Sequence, residues 1–255
     1  MKKIVKRFLI QSILLLLLLL GLNLQAQVPT GHNLDFSTGG YQFWQAKTGN
    51  YDGTSSQPIF NWTYTWVDPT QASDEGERFF VIYNGGTDTN SLNQLSRVPE
   101  GFTHSSQINK AKGDGHCSQL QYTMEVNLEN CLLTFMYAMV LQAPGHSGYE
   151  NPTFQIDVMK HSSDNGQMLE ELVDPCAFFE KSSNAQLPTT EPELWHEGSN
   201  DWHGLWIWSN WQQIKINLAK YVGDKVTIRV RLGDCSPTAH GGYGYFTAKA
   251  EPALI

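Results

Sequence analysis

The feature that most constrains this chain is strict alternation of apolar and polar residues. Leu120, Tyr122, Met124 and Val126 alternate with Gln119, Gln121, Thr123 and Glu125. Val226, Ile228, Val230 and Leu232 alternate with Lys225, Thr227, Arg229 and Arg231, and shorter runs recur at Phe154–Val158 and Ile214–Leu218. A period of two gives each segment one buried and one wet face, as in a half-buried β-strand. Cys131–Leu141 is apolar almost throughout, which predicts a central strand covered on both sides. Phe79–Tyr83 predicts a short buried strand and Tyr243–Ala248 a last one. Phe60, Trp62, Tyr64 and Trp66 have strand spacing and are predicted to face the core, with an exposed aromatic platform as the alternative.

Gly85-Gly86, Asp114-Gly115, Pro144-Gly145, Asp164-Asn165-Gly166 and Gly241-Gly242 punctuate these segments as turns. No window has a convincing helical period; Gln167–Val173 reads as one short helix or a hairpin return. Strands without a βαβ rhythm predict an all-β fold, an antiparallel β-sandwich of jelly-roll type. No repeat or linker divides residues 27–255, so a single domain is expected, with long loops at Pro99–Cys117 and Pro175–Ser209.

Residues 1–26 read as a signal peptide: Lys2, Lys3, Lys6 and Arg7, then the Leu14–Leu20 run, then Leu24-Gln25-Ala26 at the cleavage edge. No Cys at that edge invites lipid attachment, and the longest later apolar run is too short to span a bilayer. The expected product is secreted, at the cell surface, in the periplasm or beyond. Removal of four basic residues leaves 13 of the 17 Lys+Arg against 25 Asp+Glu, moving the net charge from −8 to −12. That balance repels phosphate backbones and excludes nucleic acid as a partner.

Four Cys in an exported chain suggest two disulfides. Cys117 and Cys131 flank one strand and cannot meet. If strands 131–141 and 225–232 are antiparallel neighbours, Cys131 pairs with Cys235 and Cys117 with Cys176.

Leu132–His146, with Trp208-Ser209-Asn210-Trp211, Ile216-Asn217-Leu218, Tyr221-Val222-Gly223, Asp234-Cys235 and His240–Phe246, resembles a known module. It is the N-terminal sandwich of PKD-repeat or gliding-motility-associated surface proteins of gliding Gram-negative bacteria. Asn33-Leu34-Asp35-Phe36 followed by Trp44 agrees with it. The resemblance implies an extracellular, non-catalytic module for glycan binding or adhesion. Members usually continue into repeats and a sorting domain, whereas this sequence stops at Ile255, and Ala250 stands where a Cys is expected.

Trp195–Trp211 holds five of the eight Trp, with His196 and His203. Aromatic rings in polar loops suit sugar faces, so Trp202, Trp206, His203 and Trp195 are the candidate ligand-binding residues, and Trp211 is expected in the core. His146 follows a Pro-Gly turn, His240 precedes a Gly-Gly turn, and Asp234 and Asp35 lie near strand ends. His with carboxylate suits zinc, while carboxylate with carbonyls suits calcium, for which Asp35 is the candidate. A retaining glycanase needs two carboxylates about 5 Å apart. Glu171 and Asp174 point to opposite strand faces, and Glu191-Pro192-Glu193 lies in a loop. Tyr243, Tyr245 and Lys249 superficially fit a lyase but lack companion motifs. The reading is a secreted non-catalytic module that binds an extracellular polysaccharide or cell-surface component. A polysaccharide hydrolase or lyase, or a structural spacer, is the alternative.

Overall fold

The computed structural model describes residues 33–50, 63–69, 78–146, 150–164, 167–235 and 239–253. Residues 1–26, Phe60 and Trp62 lie outside them. No helix among the described residues is long and apolar enough to cross a membrane.

Two antiparallel sheets pack face to face. The first runs β2 (Thr63–Val67), β1 (Trp44–Asn50), β5 (His116–Glu125), β13 (Lys225–Gly233) and β7 (Thr153–Asp164). The far edge of β7 pairs first with β9 (Phe178–Ser182) and then with β8 (Gln167–Leu172). The second runs β10 (Trp195–Asp201), β11 (Gly204–Ser209), β6 (Leu132–Gln142), β14 (Gly242–Glu251), β4 (Ser105–Ile108) and β3 (Phe79–Ile82). β12 (Gln212–Asn217) pairs with the opening half of β6. The chain crosses between sheets at β4→β5→β6→β7 and at β12→β13→β14. This interleaves β4-β14-β6-β12 in one sheet with β5-β13-β7-β9 in the other, the strand order of a jelly roll.

Alternation decides what each strand buries. Leu120, Tyr122, Met124, Val226, Ile228, Val230, Leu232, Phe154, Ile156 and Val158 face inward from the first sheet. They meet Leu133, Phe135, Tyr137, Met139 and Leu141 of β6 and Phe246 of β14. Trp44 closes one end, stacked on Phe36 at 5.1 Å between ring centres and edge-on to Phe246 at 5.2 Å. The other face of β6 is also covered: Ala138 and Val140 join Trp206, Trp208, Tyr243, Tyr245, Ile82 and Leu95 in a second apolar cluster.

The structure corrects several expectations. The segment 99–117 contains β4, whose Ser-Ser-Gln-Ile is too polar to read as a strand yet is fully buried beside β14. The segment 175–209 contains β9, β10 and β11 rather than a loop. Gln167–Leu172 is the hairpin return, not a helix. Tyr64 and Trp66 point outward, because the register sets Val67 beside inward Ala46 and Trp66 beside outward Lys47.

No disulfide joins the four cysteines, against the expected Cys131–Cys235 and Cys117–Cys176 links. β6 neighbours β14, and β13 lies in the opposite sheet. β6 and β13 run in the same direction, so the start of one and the end of the other fall at opposite ends of the sandwich. Gly233 sits opposite Cys117, whereas Cys131 follows the far end of β5. Cys176 lies beyond β8 and is exposed, while Cys117 is buried. Alkylation of the denatured protein without reductant, read by mass spectrometry, should therefore label all four cysteines. A Cys131–Cys235 cross-linked peptide would overturn the sheet order.

Candidate functional site

Two regions hold the candidate functional side chains: the outer face of the first sheet, and the sandwich end where β6, β11 and β13 meet their loops.

On the outer face, residues opposite in register form rows across the strands. One row carries Trp66, Lys47, Gln119, Arg231, Gln155 and Glu180. The next carries Gln45, Gln121, Arg229, Asp157 and Phe178. The Arg231 Nε donates to Gln119 Oε1 at 2.7 Å, and its Nη1 donates to Gln155 Oε1 and Asp157 Oδ2. Gln119 Nε2 donates to Gln121 at 2.8 Å, and Gln121 donates to Gln45 at 3.1 Å. Gln155 Nε2 donates to Glu180 at 2.9 Å. A continuous chain of hydrogen bonds thus crosses five strands, from Gln45 on β1 to Glu180 on β9. Arg229 adds bonds to Asp157 at 2.6 Å and Glu170 at 2.7 Å.

Gln119, Gln155, Asp157 and Arg231 are buried, so this network satisfies groups that would otherwise be costly to desolvate. At the β2 edge Trp66 keeps 54% of its surface exposed, with the Lys47 ammonium 4.0 Å above its ring. Burial lowers the Lys47 pKa, and the nearby Arg229 and Arg231 charges lower it further. Burial also raises the pKa of Tyr64, next to Cys117, whose thiol burial pushes up to about 12. The face holds Lys47, Arg229 and Arg231 against Asp157, Glu170 and Glu180, so formal charges balance.

At the sandwich end the Trp-rich segment divides. Trp195 is 1% exposed in the main core and Trp206 is 2% exposed in the second cluster. Trp206 donates its indole N–H to Asp201 at 3.0 Å. Neither offers a ring face to ligand, which corrects the expectation for both: β11 is covered on both sides, a context its Gly-Leu-Trp-Ile-Trp-Ser sequence does not declare. Trp211, expected in the core, is half-buried against the second cluster and donates to the Ser96 carbonyl at 2.8 Å. Trp202, in the turn between β10 and β11, is 88% exposed, with His203 packed against it.

His203 leads to His240, 6.3 Å away between ring centres, and His240 to His146 at 5.3 Å. Of the four candidate metal ligands, the fold brings His146 and His240 together, and adds Cys235, which the sequence assigns to a disulfide. Asp234 lies at this end, but its carboxylate accepts from Asn109 at 2.8 Å and from the N–H groups of Asp114, His116 and Gly242. Burial, then the adjacent Asp114 carboxyl, raises its pKa. Asp35 is elsewhere, accepting from the Ser37 N–H in a local turn near the opposite end of β14.

Tyr243 and Tyr245, considered above for a lyase, both donate to Asp88 Oδ2, at 2.6 and 2.7 Å. They line a cleft of about 300 Å³ with Asp88, Asn90, Arg97 and Gln107. Burial raises both phenol pKa values and the Asp88 carboxylate raises them further, which opposes use of either as a base.

No family model and no curated protein matches the sequence. Among solved structures, the chain is similar to TmCBM61 in complex with β-1,4-galactotriose: 12% identity, 86% of this chain and 97% of that one, TM-score 0.39. It is similar to the K2 cleaved adhesin domain of Lys-gingipain at 13% identity, 82% and 98% coverage and TM-score 0.33. It is also similar to the family 11 carbohydrate-binding module of a Clostridium thermocellum cellulase at 9% identity, 71% and 86% coverage and TM-score 0.28. Scores this low leave the ligand of this chain to be argued from its own residues.

Glu180 tests the electrostatics of the face. Burial raises its pKa from the ordinary 4.5, partly offset by the Gln155 amide. As pH rises above 4.5, the unfolded carboxyl releases its proton before the folded one, so stability falls until the folded group has also titrated. Glu180→Gln keeps an acceptor for Gln155 and removes that loss. The melting temperature of the variant relative to wild type should rise with pH across this window and then level. A constant difference would place Glu180 in a water-like setting.

Proposed function

We propose that the chain is a secreted, non-catalytic sandwich module that binds extracellular polysaccharide on the outer face of its first sheet. One observation carries this reading: an exposed indole, Trp66, at the edge of a hydrogen-bonded chain of amides and guanidinium spanning five strands. A sugar ring presents an apolar C–H face and a rim of hydroxyls that both donate and accept. An exposed indole suits the first, and Gln45 and Gln121, with an N–H₂ and a carbonyl each, suit the second. The balanced charge of the face suits a neutral glycan better than an anionic one. Exposed Phe178, at the opposite edge in the neighbouring row, gives the face a second apolar end.

Export rests on the first 26 residues, and the motif resemblance adds a place among adhesive surface modules of gliding bacteria. Catalysis is disfavoured because Asp157 is held by two arginines and Glu180 accepts from Gln155. Trp202, exposed at the sandwich end, is the alternative contact that the test separates from this face.

The test is affinity electrophoresis through gels containing neutral polysaccharides, with circular dichroism on each variant. Trp66→Ala truncates an exposed ring and should keep the fold. Loss of one stacking contact of about 1 kcal/mol should weaken retardation several-fold, and Gln121→Ala should weaken it further. Trp202→Ala should leave retardation unchanged. Folded Trp66→Ala and Gln121→Ala proteins that bind like wild type would overturn the assignment to this face. Loss confined to Trp202→Ala would move the site to the β10–β11 turn.

A further inference from the structure

We infer that His146, Cys235 and His240 form a zinc site at the sandwich end, separate from the polar sheet face. One ligand atom from each lies within 4.8 Å of the others. Tetrahedral zinc, with bonds of about 2.0–2.1 Å to nitrogen and about 2.3 Å to sulfur, holds its ligand atoms roughly 3.3–3.7 Å apart. Cys235 Sγ and His240 Nδ1 already stand at 3.3 Å. A modest side-chain adjustment would bring in His146.

Three features show a built arrangement rather than a chance meeting. First, all three ligands are anchored. His146 follows the Pro144-Gly145 turn after β6, and its carbonyl accepts from Asn151 at 2.9 Å. Cys235 follows β13, and Cys235 and His240 are tied by Cys235 N–H to His240 O at 3.0 Å and His240 N–H to Sγ at 3.0 Å. Second, the backbone at His240 is pressed against the segment 111–113. A Cβ on Gly113 would come within 2.5 Å of the His240 nitrogen, and one on Gly241 within 2.5 Å of the Ala111 carbonyl oxygen. Only glycine permits that approach, so His240 is held in place by packing. Third, the His146 Nε2 is buried with no hydrogen-bond partner among the described residues, an uncommon condition for a native polar atom. A cation at the centre of the cluster would satisfy it.

The donor set selects the ion. One thiolate and two imidazoles are borderline-soft ligands that suit zinc and disfavour calcium or magnesium. Three protein ligands leave a fourth position for water, the pattern of an open rather than a closed zinc site. Exposed Trp202 and half-buried His203 stand beside it, which leaves room for that position to face solvent.

The experiment uses purified protein stripped with chelator and titrated with cobalt(II), then zinc. Cobalt should bind at one equivalent with a thiolate-to-metal charge-transfer band, and zinc should displace it. His146→Ala and His240→Ala should each lower zinc affinity roughly tenfold or more in competition with a chromophoric chelator. Cys235→Ala should abolish the charge-transfer band, whereas exposed Cys176→Ala should leave it intact. His146→Ala breaks no hydrogen bond at Nε2, so its metal-free melting temperature should match wild type, and only wild type should gain from added zinc. Cobalt binding without a thiolate band would overturn the site. Equal zinc affinity in wild type and the folded His146→Ala and His240→Ala proteins would do the same. Copper(I) binding without zinc binding would overturn the choice of ion.

Discussion

The double burial of β6 governs the rest of the molecule. An antiparallel strand with one wet face needs a partner layer on one side only. β6 has apolar residues toward both, so the second sheet must be covered twice. Leu133, Phe135, Tyr137, Met139 and Leu141 are covered by the first sheet; Ala138 and Val140 are covered by Trp206, Trp208, Tyr243, Tyr245 and Leu95. This draws the segment between β3 and β4 over the outer face, where Asp88 anchors it by accepting from both tyrosines. The two sheets become unequal: one has its outer face packed, the other carries a polar outer face. The aromatic wealth of β11 and β14 therefore serves packing, and the polar face proposed for recognition belongs to the first sheet.

Strands whose two faces differ in polarity are legible in the amino-acid sequence: β5, β7, β12 and β13 follow their alternation, and β6 is covered on both sides as its unbroken apolar run implies. What period two leaves open is which face turns inward when the neighbouring strand decides. Tyr64 and Trp66 alternate with threonine, and hydrophobicity alone would bury them. Pairing with β1 sets Val67 beside Ala46 instead and turns both rings out. β4 escapes notice for the opposite reason. Ser105, Ser106 and Gln107 are buried by β14 and the covering loop, a tertiary context with no local signal.

The cysteines make the same point about topology. Pairing Cys131 with Cys235 is sound if their strands are neighbours, but jelly-roll interleaving puts β14 between β6 and β4 and sends β13 to the other sheet. The same interleaving gathers the ends of β6 and β13 and the start of β14 at one end of the sandwich. His146 and His240 stand out in the sequence as turn histidines, and their convergence follows from this strand order. Asp35 also sits beside a turn, but its turn lies on a different edge, and its carboxylate only closes that turn.

The polar face raises a question of energetics that stability alone does not answer. Arg231 and Asp157 are both buried, and the coulombic gain of such a pair is largely cancelled by desolvation. Apolar side chains of similar size would hold the sheet together at least as well. What the hydrogen-bonded floor adds is order: it fixes the amides of Gln119, Gln121 and Gln155 in one orientation, because the oxygen and the nitrogen of each have bonded neighbours. A surface whose donors and acceptors are held before a ligand arrives loses less conformational entropy on binding. In this arrangement Arg231 and Asp157 hold Gln119 and Gln155 in line, and Trp66 and Gln45 at the exposed edge are the side chains proposed to make the contact.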